Sequence, residues 1–158
     1  MLHHVFGHPN DISQCRNSLF VSGALLAVEI SAPQPLIDLL TNEGKPIPVS
    51  KTGYGLIDTG AHLTTLHEDF VKDLGVNTVG AYDMSTPAGG VESHNTYPVH
   101  LKVPSHAIDV DLPEIITADL SHFLTPQGDI IIGLIGRDFL STCILIYNGH
   151  LGMYTLAN

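Results

Sequence analysis

The chain predicts an all-β domain, mainly antiparallel, with one clear helix and one short one. Tyr97, Val99, Leu101 and Val103 alternate with Pro98, His100 and Lys102, and Ile108, Val110 and Leu112 alternate with Asp109, Asp111 and Pro113. Apolar side chains at a period of two build a half-buried strand. Asn148-Gly149 stands between the apolar runs Ile144 to Tyr147 and Leu151 to Leu156, and that dipeptide favours a hairpin turn. Gly and Pro punctuate the other runs, and no segment repeats at a period of about 20–50 residues.

Taken in order, residues 1–18 are polar, with His3, His4, His8 and Pro9, and read as an irregular arm. Leu19 to Ile30 reads as a long strand, because Leu26, Val28 and Ile30 alternate with Ala27 and Glu29. Pro33 and Pro35 close it. Residues 36–53 carry Gly44, Pro46, Pro48 and Gly53, which suit a loop or a short edge hairpin. Leu56-Ile57 is a short buried strand ending at Asp58. Thr65-Leu66-His67-Glu68 fits a capping box. Phe70, Val71 and Leu74 then form one apolar stripe before Gly75, which predicts a helix over 66–74.

Thr86-Pro87-Ala88-Gly89-Gly90 is a turn between strand-like flanks. Residues 117–128 read as loop or one short helix, Ile130 to Ile132 as a fully buried strand, and Arg137 to Thr142 as a short helix. The division is an N-terminal arm over 1–22 and one domain over 23–158.

Length and composition bound the function. With 158 residues the chain fits one domain with a real core. It is 44% hydrophobic and 14% charged, which excludes disorder. A formal net charge of -10 argues against nucleic acid or an anionic membrane as partner. Ten histidines shrink that charge between roughly pH 7 and 5. The apolar stretch Leu19 to Val28 holds Ser22 and Gly23 and is too short to span a bilayer. Its upstream segment carries Asp11 and Glu29 follows at once, unlike a signal peptide. The protein is expected to be soluble and cytoplasmic. Cys15 and Cys143 leave one bridge possible, with two free thiols the favoured state.

The stretch that carries chemistry is Leu56-Ile57-Asp58-Thr59-Gly60-Ala61. An apolar run delivers one aspartate into a tight turn, where a carboxylate can be held still beside a partner. By itself the motif also suits a plain Asx turn, with Asp58 accepting local N–H bonds. Some seventy-five residues on come Leu134-Ile135-Gly136-Arg137-Asp138 and a further strand. Gly136 would let that segment pack close to the Asp58 loop.

In these pieces and their order, over roughly residues 23–156, the chain resembles a protomer of the retropepsin-type aspartic proteases. The matching pieces are the strand Leu25 to Ile30, the motif Asp58 to Ala61, the glycine-tipped turn near Ala88 to Gly90, and Leu134 to Asp138 with the helix after it. The resemblance implies a closed-barrel protomer with its active site on a homodimer two-fold axis, and an endopeptidase that needs no cofactor and no metal. Two carboxylates roughly 3 Å apart cannot both ionise and share one proton. Asp109, Asp111, Asp119, Asp129 and Asp138 lack a following Thr/Ser-Gly, so the second carboxylate is expected to be Asp58 of another copy.

The resemblance further implies catalytic roles for Asp58, Thr59 and Gly60, with the Thr59 hydroxyl holding the two loops together. It implies a peptide or protein substrate bound as an added strand, with Ala61, Leu63, Ile132 and Leu134 lining apolar pockets. Ala88, Gly89 and Gly90 would form a flap tip, with Tyr97 beneath it. One departure stands out. In the retroviral pattern the arginine matching Arg137 pairs with an acid just after the motif, where this chain has His62 and Leu63. Arg137 is left to Asp138, Glu68, a partner-chain acid or nothing, and a cellular or bacterial relative fits better than a viral enzyme.

The histidines form no H-E-x-x-H pattern and read as surface or partly buried groups, not metal ligands. Cys143 reads as core and Cys15 as incidental. Two rival functions remain from the sequence: a non-catalytic peptide-binding dimer of the same fold, and a metal-binding β domain.

Overall fold

The computed structural model describes residues 2–5 by their backbone and residues 10–85, 89–105 and 107–158 in full. Strand β1 (Leu2–Val5) and helix α1 (Ile12–Ser22) come first. Asp11 caps α1 by accepting the Gln14 N–H at 2.9 Å. Cys15 and Leu19 are its buried residues, and Gly23, at φ 70, stops it. The irregular arm and the strand from Leu19 are therefore corrected. The apolar run from Leu19 to Val28 is shared between a helix end and a strand start, divided by a left-handed glycine.

Strand β2 (Leu25–Ser31) leads to helix α2 (Gln34–Asn42). Pro35 sits in the first turn of α2, where its missing N–H costs nothing; a helix, not a loop, opens the 36–53 stretch. Strand β3 (Lys51–Ile57) ends at Asp58, and β4 (Thr65–His67) precedes helix α3 (Glu68–Asp73). The expected capping box does not form, because Thr65 and Leu66 are consumed by strand pairing to both neighbours of β4. His67 caps α3 instead, its Nδ1 accepting the Asp69 N–H at 3.3 Å.

Strands β5 (Gly80–Ser85) and β6 (Val91–Val103) form a hairpin. Strand β7 (Ile108–Ala118) follows, then β8 (Ile131–Ile135), helix α4 (Arg137–Leu140), β9 (Ile144–Asn148) and β10 (Met153–Ala157). Ile130 is 42% exposed, so the buried strand starts one residue later than expected. The β9–β10 turn is longer than a two-residue hairpin, with Asn148 Oδ1 accepting the Leu151 N–H at 3.0 Å.

Six strands close a mixed barrel in the order β2-β3-β8-β4-β7-β6, with β6 pairing back onto β2. The β3–β8 and β4–β7 pairs are parallel and the others antiparallel. Strand β6 is long enough to serve twice. Its second half pairs with β7 and β2, while its first half pairs with β5 and extends beyond the barrel. A second sheet, β1-β10-β9, packs alongside.

Leu26, Val28, Ile30, Leu101, Ile115 and Ile135 fill the core, each contributing about 1.5–3 kcal/mol by burial. Tyr154 ties the second sheet to the barrel, its hydroxyl donating to Leu25 O at 2.6 Å in a buried setting. Gly152, at φ 63, lets the β9–β10 turn press on α1, since a Cβ there would collide with the backbone of Cys15 and Arg16. Among the described residues no helix is long and apolar enough to cross a membrane.

Candidate functional site

Asp58 sits where two parallel strands end together. Its N–H donates to Ile135 O at 3.0 Å, extending the β3–β8 ladder by one residue. The chain then turns back, with Ala61 N–H on Asp58 O at 3.2 Å. The Asp58 carboxylate is half-buried and fixed through Oδ1, which accepts the N–H groups of Gly60 at 2.8 Å and Ala61 at 3.2 Å. These are the bonds of an Asx turn. They also leave Oδ2 without a hydrogen bond among the described residues, so the same geometry presents one carboxylate oxygen outward. Gly60 does not adopt a left-handed backbone. A Cβ there would stand 3.1 Å from Asp58 Oδ1, a tight contact that the carboxylate would have to yield to.

Helix α4 fastens the loop from below. Arg137 N–H donates to Ala61 O at 3.0 Å and Asp138 N–H to His62 O at 3.2 Å. The Asp138 carboxylate accepts from Thr64 N–H at 2.8 Å, from the Thr64 hydroxyl at 2.7 Å and from Phe139 N–H at 2.8 Å. Thr64 is fully buried and its hydroxyl oxygen also accepts the Gly136 N–H at 3.1 Å. Charge-assisted bonds of this kind are among the stronger ones. Gly136 makes the approach possible: a Cβ would lie 2.6 Å from Leu63 C and 2.8 Å from Thr64 N.

Among the described residues Arg137 pairs with neither Asp138 nor Glu68. Its guanidinium donates to the carbonyls of Thr59 and Gly60 at 2.9 and 3.1 Å. It braces the loop through backbone acceptors, which explains how His62 can stand where an acid was expected. Sequence reasoning missed Asp138 and Thr64 as positioning residues. Asp138 was visible as the end of the Leu134 to Asp138 motif and as a candidate ion-pair partner, not as an acceptor for Thr64, and a buried threonine has no sequence signature.

The remaining expected site residues divide. Ala61 and Leu63 are half-buried beside Asp58, Thr59 is exposed, and Leu134 is half-buried on β8. Ile132 is corrected. It is 2% exposed and packs in the core against Gly53, because a bulge on β8 opposite Tyr54 and Gly55 turns it inward. Gly89, at φ 82, and Gly90 are exposed at the end of the β5–β6 hairpin, and Ala88 lies outside the described residues. Tyr97 does not sit beneath that tip; it packs on the core and lines a small cleft with Val71 and Val76.

His62 faces the hairpin. Its Nδ1 is 3.4 Å from the Tyr82 hydroxyl, and the two rings meet edge to face at 6.0 Å. His100 lies between Asp109 and Asp111, with Nε2 and Nδ1 at 2.7 and 2.8 Å from their carboxylates. Among the described residues no group of three or more His, Cys, Asp or Glu side chains is arranged to hold a metal ion. Cys15 and Cys143 are not joined by a disulfide; Cys15 is buried in the core and Cys143 packs partly against it.

Compared with known families and with curated proteins, the chain matches no family model and no curated sequence.

Proposed function

We propose that the chain is one protomer of a retropepsin-like homodimeric aspartic endopeptidase. The observation that carries this reading is the Asp58 loop: a single carboxylate held by Oδ1, with Oδ2 free, on a turn braced by α4. Rigid support of a half-buried carboxylate is what a proton-sharing pair needs and what an ordinary surface turn does not. The closed six-strand barrel and the β5–β6 hairpin agree with it.

In the dimer, Asp58 of each copy would meet across a two-fold axis. One proton is then shared, and the apparent acidities belong to the pair. The ionised member takes a proton from water as it attacks the peptide carbonyl. The protonated member donates to the carbonyl oxygen, and a proton finally passes to the leaving nitrogen. No covalent intermediate forms. The exposed Thr59 hydroxyl is free to bond the opposing loop.

The deciding experiment compares wild type with Asp58→Asn on a peptide library between about pH 4 and 7. Cleavage is expected to vanish while the fold and the dimer persist. Coexpression sharpens it: an equimolar mixture should keep about one quarter of the activity, since only dimers with two intact chains work, against about one half for a site within one chain. Unchanged cleavage by Asp58→Asn defeats the dyad. A protein that dimerises and binds peptides without cleaving them is the non-catalytic module, and a strict monomer leaves no shared site.

A further inference from the structure

A cleft of about 540 Å³ lies away from the Asp58 turn itself, between α1, the outer face of β2 and β3, and the turn at residues 125–127. Two features make it more than a packing gap.

The first is placement. Side chains alternate along a strand, so Tyr54, Leu56 and Asp58 point to one face of β3. The antiparallel register sets Leu25 opposite Leu56 and Ala27 opposite Tyr54, on that same face. Leu25 and Tyr54 form the floor of the cleft. The floor therefore belongs to the strand pair whose end carries Asp58. From Asp58 back to Tyr54 is four residues, or roughly 13 Å of strand. An extended peptide covers that distance in about four residues.

The second is chemistry. The chain carries sixteen acidic residues, yet no residue lining the cleft is acidic or basic. Its walls offer carboxamides and hydroxyls: Asn17 and Ser18 from α1, Thr125 and Gln127 from the turn. Val21 of α1 and the Tyr54 ring, 39% exposed, supply apolar surface. Such walls can both donate to and accept from a neutral polar group. They hold no countercharge for an ion, whose desolvation would go uncompensated.

We infer that this cleft is a specificity subsite that takes a neutral, hydrogen-bonding side chain (Asn, Gln, Ser or Thr) of the peptide held at Asp58, two to four residues from the scissile bond. The inference rests on the protease reading for its substrate and names what that reading leaves open. Discrimination arises because a carboxamide or hydroxyl replaces its water bonds with bonds to Asn17 and Gln127, whereas a carboxylate or ammonium cannot.

The test uses the full chain and one peptide series with a fixed cleavage site. The residue two, three or four positions away on either side is varied among Gln, Asn, Glu, Lys and Leu. Wild type is expected to favour Gln or Asn over Glu and Lys by about tenfold or more in kcat/KM at one of these positions, mostly through KM. The variant Asn17→Asp with Gln127→Glu changes two exposed residues almost isosterically. It should move the preference at that position toward Lys by about tenfold, leaving cleavage of peptides too short to reach the cleft unchanged. Binding of the same peptides to Asp58→Asn protein should show the same ranking.

Cleavage with equal rates across the series in both proteins overturns the subsite and leaves the protease standing. No cleavage, but a preference in binding that the double variant reverses, keeps the recognition site and removes the protease. Neither cleavage nor ranked binding overturns both.

Discussion

The loop that carries Asp58 and the hairpin that reaches toward it differ in how they are held. In the loop, Asp58 N–H, Ala61 O, His62 O and Thr64 each bond to β8 or α4, and Arg137 adds its guanidinium to two more carbonyls. The projecting half of the hairpin is different. Its residues from Gly80 to Ser85 and from Val91 to Asn95 are exposed apart from half-buried Tyr82 and His94, and its side-chain contact to the loop is Tyr82 with His62. Sparse burial and solvent-facing ladder bonds place a segment at the low end of local stability. The molecule thus separates a firmly braced carboxylate from a sparsely held hairpin; in the proposed protease that division suits a closing active site.

The contrast breaks most severely at the foot of the loop. Gly136→Ala would push a methyl group into the backbone of Leu63 and Thr64, at 2.6–2.8 Å, and no side chain there can swing aside. A loss of about 3 kcal/mol or more is expected in urea unfolding. A near-neutral result would show that the loop moves freely and is not rigid.

Asp138→Ala comes next. It strips the fully buried Thr64 of acceptors for its N–H and hydroxyl and removes the Phe139 N–H bond. About 2–4 kcal/mol is expected. Faster hydrogen exchange should be concentrated in residues 58–66 and leave the hairpin unaffected. Asp138→Asn keeps one acceptor oxygen and should cost less.

These same residues show how much was readable beforehand. The alternation in β6 and β7 and the Asp58 turn were legible because a period of two and a Thr-Gly turn are local facts. Helix α1 was not. Its apolar residues run on into β2, and short apolar runs fit helix and strand alike; only Gly23 in the left-handed region separates them. Helix α2 had a signal in Pro35 at its first turn, outweighed by the glycines and prolines after it. In the site, Asp58 and Gly136 could be named, but the clamp of Asp138 on Thr64 joins residues 74 apart, and no spacing rule reaches that far. Ile132 was misplaced because a bulge shifts the alternation on β8.

A third change probes the barrel that both regions share. Burial pushes the Tyr154 phenol up from its ordinary range. A group whose folded pKa is raised contributes stability that is complete below its unfolded value, about 10. That contribution is lost as pH climbs beyond it, because the unfolded chain gives up the proton first. Wild type should therefore lose stability steeply above about pH 10. Tyr154→Phe forfeits the 2.6 Å bond to Leu25 O, about 1 kcal/mol at neutral pH, and should show a flatter alkaline limb. An identical limb in both proteins would assign the alkaline loss to other groups.

The smallest change bears most directly on the hairpin. Tyr82→Phe removes the hydroxyl 3.4 Å from His62 Nδ1 and keeps the edge-to-face ring contact. At 3.4 Å the bond is long and solvent-facing, so global stability should move by less than about 0.5 kcal/mol. If the hairpin is held to the loop mainly here, its amides from Gly80 to Ser85 should exchange about two- to threefold faster, while those of Ala61 to Thr64 keep their protection. In the proposed protease, a looser cover weakens substrate capture, so KM should rise with little change in kcat. Equal acceleration on both sides of the contact would mean that loop and hairpin open as one unit, and that the rigidity of the Asp58 loop depends on the hairpin as well as on α4.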